Sequence, residues 1–303
     1  MDVLVVAVAL GVVLTGAGMA AAGQKLQVSE VERVAAGFQF TEGPMMHPDG
    51  YLVFSDIPGD TIYALKGTQT EIFRRPSGNS NGLVFDLAGR LLACEHGGRR
   101  VSRMEPDGTV IGLATQYQGK RLNSPNDIVV RSDGAVYFTD PPYGVKPEQR
   151  ELDFAGVYRI APDGGLTLLV DDFVKPNGLA FSPDEKILYV ADTDRNWLRA
   201  FDVQEDGTLA NDRVFARVEP PGDLRPDGVK VDTEGNVYVA GSGGVEVFSP
   251  KGEHVETIAL PDRPANLAFG GPDGRTLYVT ARSSVYKVGV RHAGAVRRAQ
   301  RSE

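Results

Sequence analysis

The 303-residue chain has one cysteine, Cys94, and only four histidines. A single thiol excludes a disulfide framework and any zinc-knuckle spacing, and Cys94 reads as a small buried hydrophobe. Positive charge is also short: 32 Lys and Arg stand against 40 Asp and Glu, a net charge of −8. A basic face for nonspecific nucleic-acid binding is therefore not expected. With 42% hydrophobic and 24% charged residues, the composition excludes both a largely disordered chain and a polytopic membrane protein. What the chain has in excess is glycine, 36 residues, beside 19 prolines. That calls for many tight turns and many short strands rather than long helices.

The N-terminus departs from the rest. Val3 to Gly23 carries no charge, and Ala20-Ala21-Ala22 offers a small-residue cleavage pattern. Residues 1–22 are read as a secretory signal peptide, with an uncleaved signal anchor as the alternative. Asp2 stands where such segments carry a positive charge. Either reading puts the globular part outside the cytoplasm, periplasmic or secreted, with no membrane contact for a cleaved chain.

Six segments repeat. They are EGPMMHPDGYLVFSD from Glu42, NGLVFDLAGRLLACE from Asn81, NDIVVRSDGAVYFTD from Asn126, NGLAFSPDEKILYVAD from Asn177, DGVKVDTEGNVYVAG from Asp227 and NLAFGGPDGRTLYVTA from Asn266. Each is an apolar run, a turn and a second apolar run. Glycine stands eight positions after the opening residue in five (Gly50, Gly89, Gly134, Gly235, Gly274), and Glu185 takes that place in the fourth. A period of about 40–50 residues built on paired strands is the signature of propeller blades. A third run follows in each unit, and a fourth strand fits before the next opening residue. The sixth unit lacks room for its fourth strand, whereas Val28 to Phe40 reads as a strand without a blade. The sequence thus predicts an all-β, six-bladed propeller over residues 27–290, closed by an N-terminal strand in the last blade. Residues 291–303 read as a flexible basic tail.

In a propeller the first strand of each blade lines the central channel. The six opening residues then ring one mouth, and the loops after the second strands stand around them, carrying Asp56, Glu95, His96, Asp140, Tyr143, Asp192, Asp194 and Arg282. The ring offers oxygen donors and no Cys or His, a set suited to hard cations such as Ca²⁺ or Mg²⁺. Glu42 and Asp227 would offset one divalent charge. Turn chemistry is the competing explanation, since Asn and Asp before a strand often bond only to nearby backbone. It suits Asn-Gly and does not suit Glu42. Gly78-Asn79-Ser80-Asn81-Gly82 matches the G-x-S-x-G nucleophile elbow, but it leads into a propeller strand rather than a helix.

The stretches FTEGPMMHPDGYLVFSD, ACEHGGRRVSRMEPDG, RLNSPNDIVVRSDGAVYFTDPPYG, KPNGLAFSPDEKILYVADT and RPDGVKVDTEGNVYVA resemble the gluconolactonase family, also called the senescence-marker-30 or regucalcin-like family, over about Phe38 to Val288. The second and third look most like the bacterial gluconolactonases. The resemblance implies a metal-dependent six-bladed propeller that hydrolyses a sugar lactone. By motif, it places the divalent cation on Glu42, Asn177 and Asp227, with Asn126 ligating it or holding substrate beside it. Ca²⁺ comes first, with Mg²⁺, Mn²⁺ and Zn²⁺ as alternatives. The family's acid–base role falls on Asp227. Asn81 and Asn266 lie outside its usual metal set. Polar rim groups, Glu95, His96, Asp140 and Tyr143, are candidates to hold sugar hydroxyls. The expected partner is a small sugar lactone, and a monomer or weak oligomer is expected. Two other readings stay open: a broader esterase or phosphotriesterase on the same metal site, whose rim should be apolar, and a noncatalytic propeller that binds a partner protein and needs no metal.

Overall fold

The computed structural model describes Met1 and residues 25–217, 225–241 and 243–295. The signal segment therefore lies outside the described residues, as do 296–303 of the tail. Six four-stranded antiparallel sheets stand around a channel. Blade 1 has Thr41–Met46 innermost, then Leu52–Asp56, Thr61–Lys66 and Gln69–Arg74 at the rim. The inner strands of blades 2 to 6 are Ser80–Phe85, Ile128–Val130, Pro176–Phe181, Val229–Val231 and Pro264–Gly270. No helix among the described residues is long and apolar enough to cross a membrane.

Burial follows position in the blade, and composition follows burial. The second strands Leu52–Asp56, Leu91–Glu95, Val136–Asp140 and Val237–Gly241 are buried throughout, and between blades they pack residues such as Val53, Ile62, Leu83 and Leu91. The outermost strands are more exposed; some are polar, as in Gln69–Arg74, where charge on the edge resists pairing with other chains, and others are apolar, as in Val110–Ala114. The repeated glycine is the left-handed residue of each hairpin: Gly50, Gly89, Gly134, Gly235 and Gly274 have φ between +76° and +89°. Glu185 adopts the same conformation at φ +57°, where a side chain costs energy that glycine avoids.

The N-terminal strand closes the ring. Glu32–Ala36 pairs antiparallel with Ser284–Gly289, Glu32 opposite Lys287 and Ala36 opposite Ser284. It is shorter than the run from Val28 to Phe40, because Gln39 and Phe40 are drawn off into blade 1. The start of the tail expected to be flexible is held over residues 291–295. Arg291 N–H donates to the Leu26 carbonyl at 2.8 Å, and Ala295 N–H to that of Val231 at 2.9 Å. Gly294 forms a bridge with Asp232.

Candidate active site

The opening residues gather at one mouth of the channel because of how each inner strand begins. In blades 1, 2 and 4 the register shifts between Glu42 and Met45, Ser80 and Leu83, and Pro176 and Leu179. Such bulges re-aim a side chain, here Glu42, Asn81 and Asn177 toward the channel. Where glycine follows the opening residue, at Gly43, Gly82, Gly178 and Gly228, it serves close approach between blades rather than a turn, which corrects the turn reading of Asn-Gly. A Cβ on Gly178 would lie 2.3 Å from the Asp227 carbonyl oxygen. With none there, Gly178 N–H donates to that oxygen at 3.2 Å, and Gly82 N–H donates to the Asn126 carbonyl at 2.8 Å. Ser55 and Thr139, both fully buried, clasp the next blade by donating to the carbonyls of Asn81 and Asn177, each at 2.8 Å.

A cavity of about 410 Å³ sits over this ring. Five of the six opening residues line it: Glu42, Asn81, Asn126, Asn177 and Asp227. Asn266 does not. Its Oδ1 accepts from Leu267 N–H at 2.8 Å, and its Nδ2 donates to Asp127 at 3.4 Å. Glu42 is buried, and burial followed by repulsion from Asp227 pushes its carboxyl well above the usual carboxylate range. Asp227 is half-buried. Burial raises it to about 7; Arg263 opposes the rise, whereas Asp127 adds to it. Asp127 is buried as well, with Lys230 Nζ 3.8 Å from its carboxylate.

The amides are turned to present oxygen. Asn177 spends its Nδ2 on Thr193 Oγ1 at 3.1 Å and on the Tyr143 hydroxyl at 3.4 Å, which leaves Oδ1 for the cavity. Thr193 is fixed in turn by donating to the Pro226 carbonyl at 2.8 Å. Asn81 directs Nδ2 to His96 Nε2 at 3.3 Å; in that amide orientation Nε2 accepts and the imidazole proton sits on Nδ1. Asn81 Oδ1 is buried without a hydrogen-bond partner, a cost unless something else meets it. Two carboxylates raised by burial and by neighbouring acids, with amide oxygens and one orphaned oxygen around them, fit a hard cation. Among the described residues no three His, Cys, Asp or Glu side chains cluster as metal ligands, so amides would have to complete the set.

Two of the four rim candidates reach the cavity. His96 lines it, and burial lowers its pKa to about 4, so the ring is neutral near pH 7. Tyr143 lines it from the Pro141–Gly144 loop, its phenol pushed upward mainly by burial. That loop closes tightly on its base, Gly144 N–H donating to Ser124 Oγ at 2.9 Å. Glu95 does not reach the cavity. It is 1% exposed and spent on Arg74 and Arg100, each at 2.6 Å, and on Ser102. Nor does Asp140, which is fully buried and accepts the backbone N–H groups of Asn123 at 2.8 Å and Ser124 at 2.7 Å. Both substrate assignments are therefore withdrawn.

The Asp140 bonds belong to a repeated latch. Asp56 holds Gln39 and Phe40 N–H, and Asp192 holds Val174 and Lys175 N–H. In each of these blades the carboxylate closing the second strand pins the backbone two and three residues before the opening residue. Sequence reasoning missed Thr193, Phe40, Ile57, Arg225 and Arg263, which also line the cavity. Thr193 alone had a signal, as the residue directly after the latch Asp192 in the ADT stretch.

Fold and site together define a six-bladed propeller with an acidic, amide-lined pocket at one channel mouth. The chain belongs to the SMP-30/Gluconolactonase/LRE-like family, whose region matches residues 40–283. It is 33% identical to a gluconolactonase of Zymomonas mobilis, over 85% of this chain and 80% of that one. A gluconolactonase structure from Xanthomonas campestris superposes with a TM-score of 0.80 at 35% identity, covering 87% of this chain and 90% of that one. A calcium-binding protein, regucalcin, from Agrobacterium tumefaciens shares the fold at a TM-score of 0.76 and 21% identity, over 88% of this chain and 95% of that one.

Proposed function

We propose that this protein hydrolyses a sugar lactone to the corresponding aldonic acid. One divalent cation, Ca²⁺ first, would be held by Glu42, Asn126, Asn177 and Asp227. The observation that carries the reading is the pair Glu42 and Asp227, raised together at the base of an amide-lined cavity. When bound, the cation supplies Lewis-acid polarisation of the lactone carbonyl. Asp227 takes a proton from the attacking water as its oxygen bonds to the carbonyl carbon, then returns it to the ring oxygen as the carbon–oxygen bond breaks. Asp127 behind it sustains Asp227 as a base by repulsion. Neutral His96 and the Tyr143 hydroxyl, with Asn126, line the cavity and would bond sugar hydroxyls.

The walls favour a sugar over an aryl ester. Ten of the twelve lining residues carry a polar group, beside apolar Phe40 and Ile57, which supports that reading. A periplasmic or secreted location is proposed from the uncharged Val3–Gly23 stretch. The test is hydrolysis of glucono-1,5-lactone, corrected for spontaneous opening, after chelation and after return of Ca²⁺, Mg²⁺, Mn²⁺ or Zn²⁺, with Asp227→Ala in parallel. Metal-restored activity that Asp227→Ala lacks supports the assignment. A folded, metal-loaded protein with no rate above background rejects this substrate, and a folded protein that binds no metal favours the partner-binding propeller.

A further inference from the structure

We infer that Arg263 makes this cavity selective for lactones that carry a second, negatively charged group. The inference rests on the lactonase reading and narrows it. Arg263 lines the cavity and is half-buried. Its neighbours fix it: Asp262 accepts a 2.6 Å hydrogen bond from the Tyr286 hydroxyl, and Pro264 begins the inner strand of blade 6.

The other arginine lining the cavity is committed. Arg225 lies 2.6 Å from Asp194, which also takes Lys175 at 3.2 Å. Lys230 faces Asp127 from below. Arg263 makes no hydrogen bond or ion pair among the described residues, and its charge acts through space on Asp227. A guanidinium has five donors in a rigid fork, matched to carboxylate or phosphate oxygens. Neutral hydroxyls would meet that fork only in part. Asp227 cannot serve as its partner if it also holds a cation and handles the water proton. A substrate anion on the wall beside Asp227 would occupy the fork while the lactone ring lies over the carboxylates.

The experiment compares D-glucaro-1,4-lactone, which bears a carboxylate, with neutral D-glucono-1,4-lactone, using the metal-loaded protein and its Arg263→Gln and Arg263→Lys variants. The wild type should favour the glucarolactone in kcat/KM. Arg263→Gln should cut that preference about tenfold or more, chiefly through KM, as loss of a hydrogen bond to a charged group implies. Arg263→Lys, which keeps the charge, should retain part of it. Equal loss on both lactones would mean that Arg263 acts through Asp227, and it would overturn the inference, as would no preference in the wild type. Calorimetry with glucarate and gluconate gives a second readout that needs no turnover, with tighter glucarate binding that weakens as salt rises. If neither lactone is hydrolysed, the lactonase reading fails, and the glucarate–gluconate difference still decides the role of Arg263.

Discussion

Replacing Asp140 with alanine tests whether the latch, rather than substrate contact, is its task. Its two carboxylate oxygens accept backbone N–H groups at 2.8 and 2.7 Å in a fully buried site. Alanine orphans both donors, and at about 1–3 kcal/mol for each the loss is about 2–6 kcal/mol. For a domain of this size that lowers the thermal midpoint by roughly 5–15 °C. Asparagine keeps one acceptor and turns an amide toward the other N–H, so its loss should be smaller. The pH dependence carries a sign. Burial raises Asp140 to about 7 from its usual 3.8, so the folded state holds the proton more tightly than the unfolded chain. Its contribution is full below about pH 4 and is lost as pH climbs through about 7. The deficit of Asp140→Asn should therefore be larger at pH 5 than at pH 8. Thermal and urea unfolding followed by circular dichroism measure the midpoints, with KM determined on the folded fraction. An unchanged midpoint together with a raised KM would refute the latch and restore Asp140 to the substrate.

The raised pair Glu42 and Asp227 makes the cation-free protein less stable as pH rises from about 5 to 8, since both folded carboxyls resist ionisation; differential scanning fluorimetry should show this loss, and Ca²⁺ should raise the midpoint more at pH 8 than at pH 5. Gly178→Ala places a methyl 2.3 Å from the Asp227 carbonyl and should cost about 3 kcal/mol or yield insoluble protein, checked by soluble yield and urea midpoint. His96 is neutral above about pH 5, so His96→Gln should lower kcat/KM about tenfold or less without moving the pH–rate profile between pH 6 and 8; a shifted profile would make His96 the base.

The propeller was legible in the sequence because its signals are local and repeated. Gly50 and its counterparts mark the hairpins, and the missing fourth strand of the last unit matched the spare strand near the N-terminus. The ring of opening residues followed from topology, since the start of an inner strand has one place to go. What failed was the sorting of acids at the ends of second strands. Asp140 and Glu95 sit one step from the cavity, and their direction depends on partners absent from the local pattern: backbone N–H groups 16 and 17 residues away for Asp140, and two arginines for Glu95. Arg263 and Ile57 escaped notice because they come from connecting loops, which do not repeat. Asn-Gly misled for another reason. A dipeptide that often makes turns stands here inside a bulged strand, where the glycine is needed for the blade next door.

The pairing of Glu32 with Lys287 across the last blade has a consequence for how the molecule comes into being. The contact joins almost the two ends of the described chain, so it is among the last that a growing polypeptide can make, and such distant pairings form slowly. Until Ser284–Gly289 emerges, the first strand has no partner and the ring stands open. A chain delivered across a membrane from its N-terminus would thus remain unlocked for the whole transit and close only after its final segment had arrived. The same geometry brings the termini of the ring together, so a new start between blades 3 and 4, with the old ends linked, should give a protein that closes at a different seam.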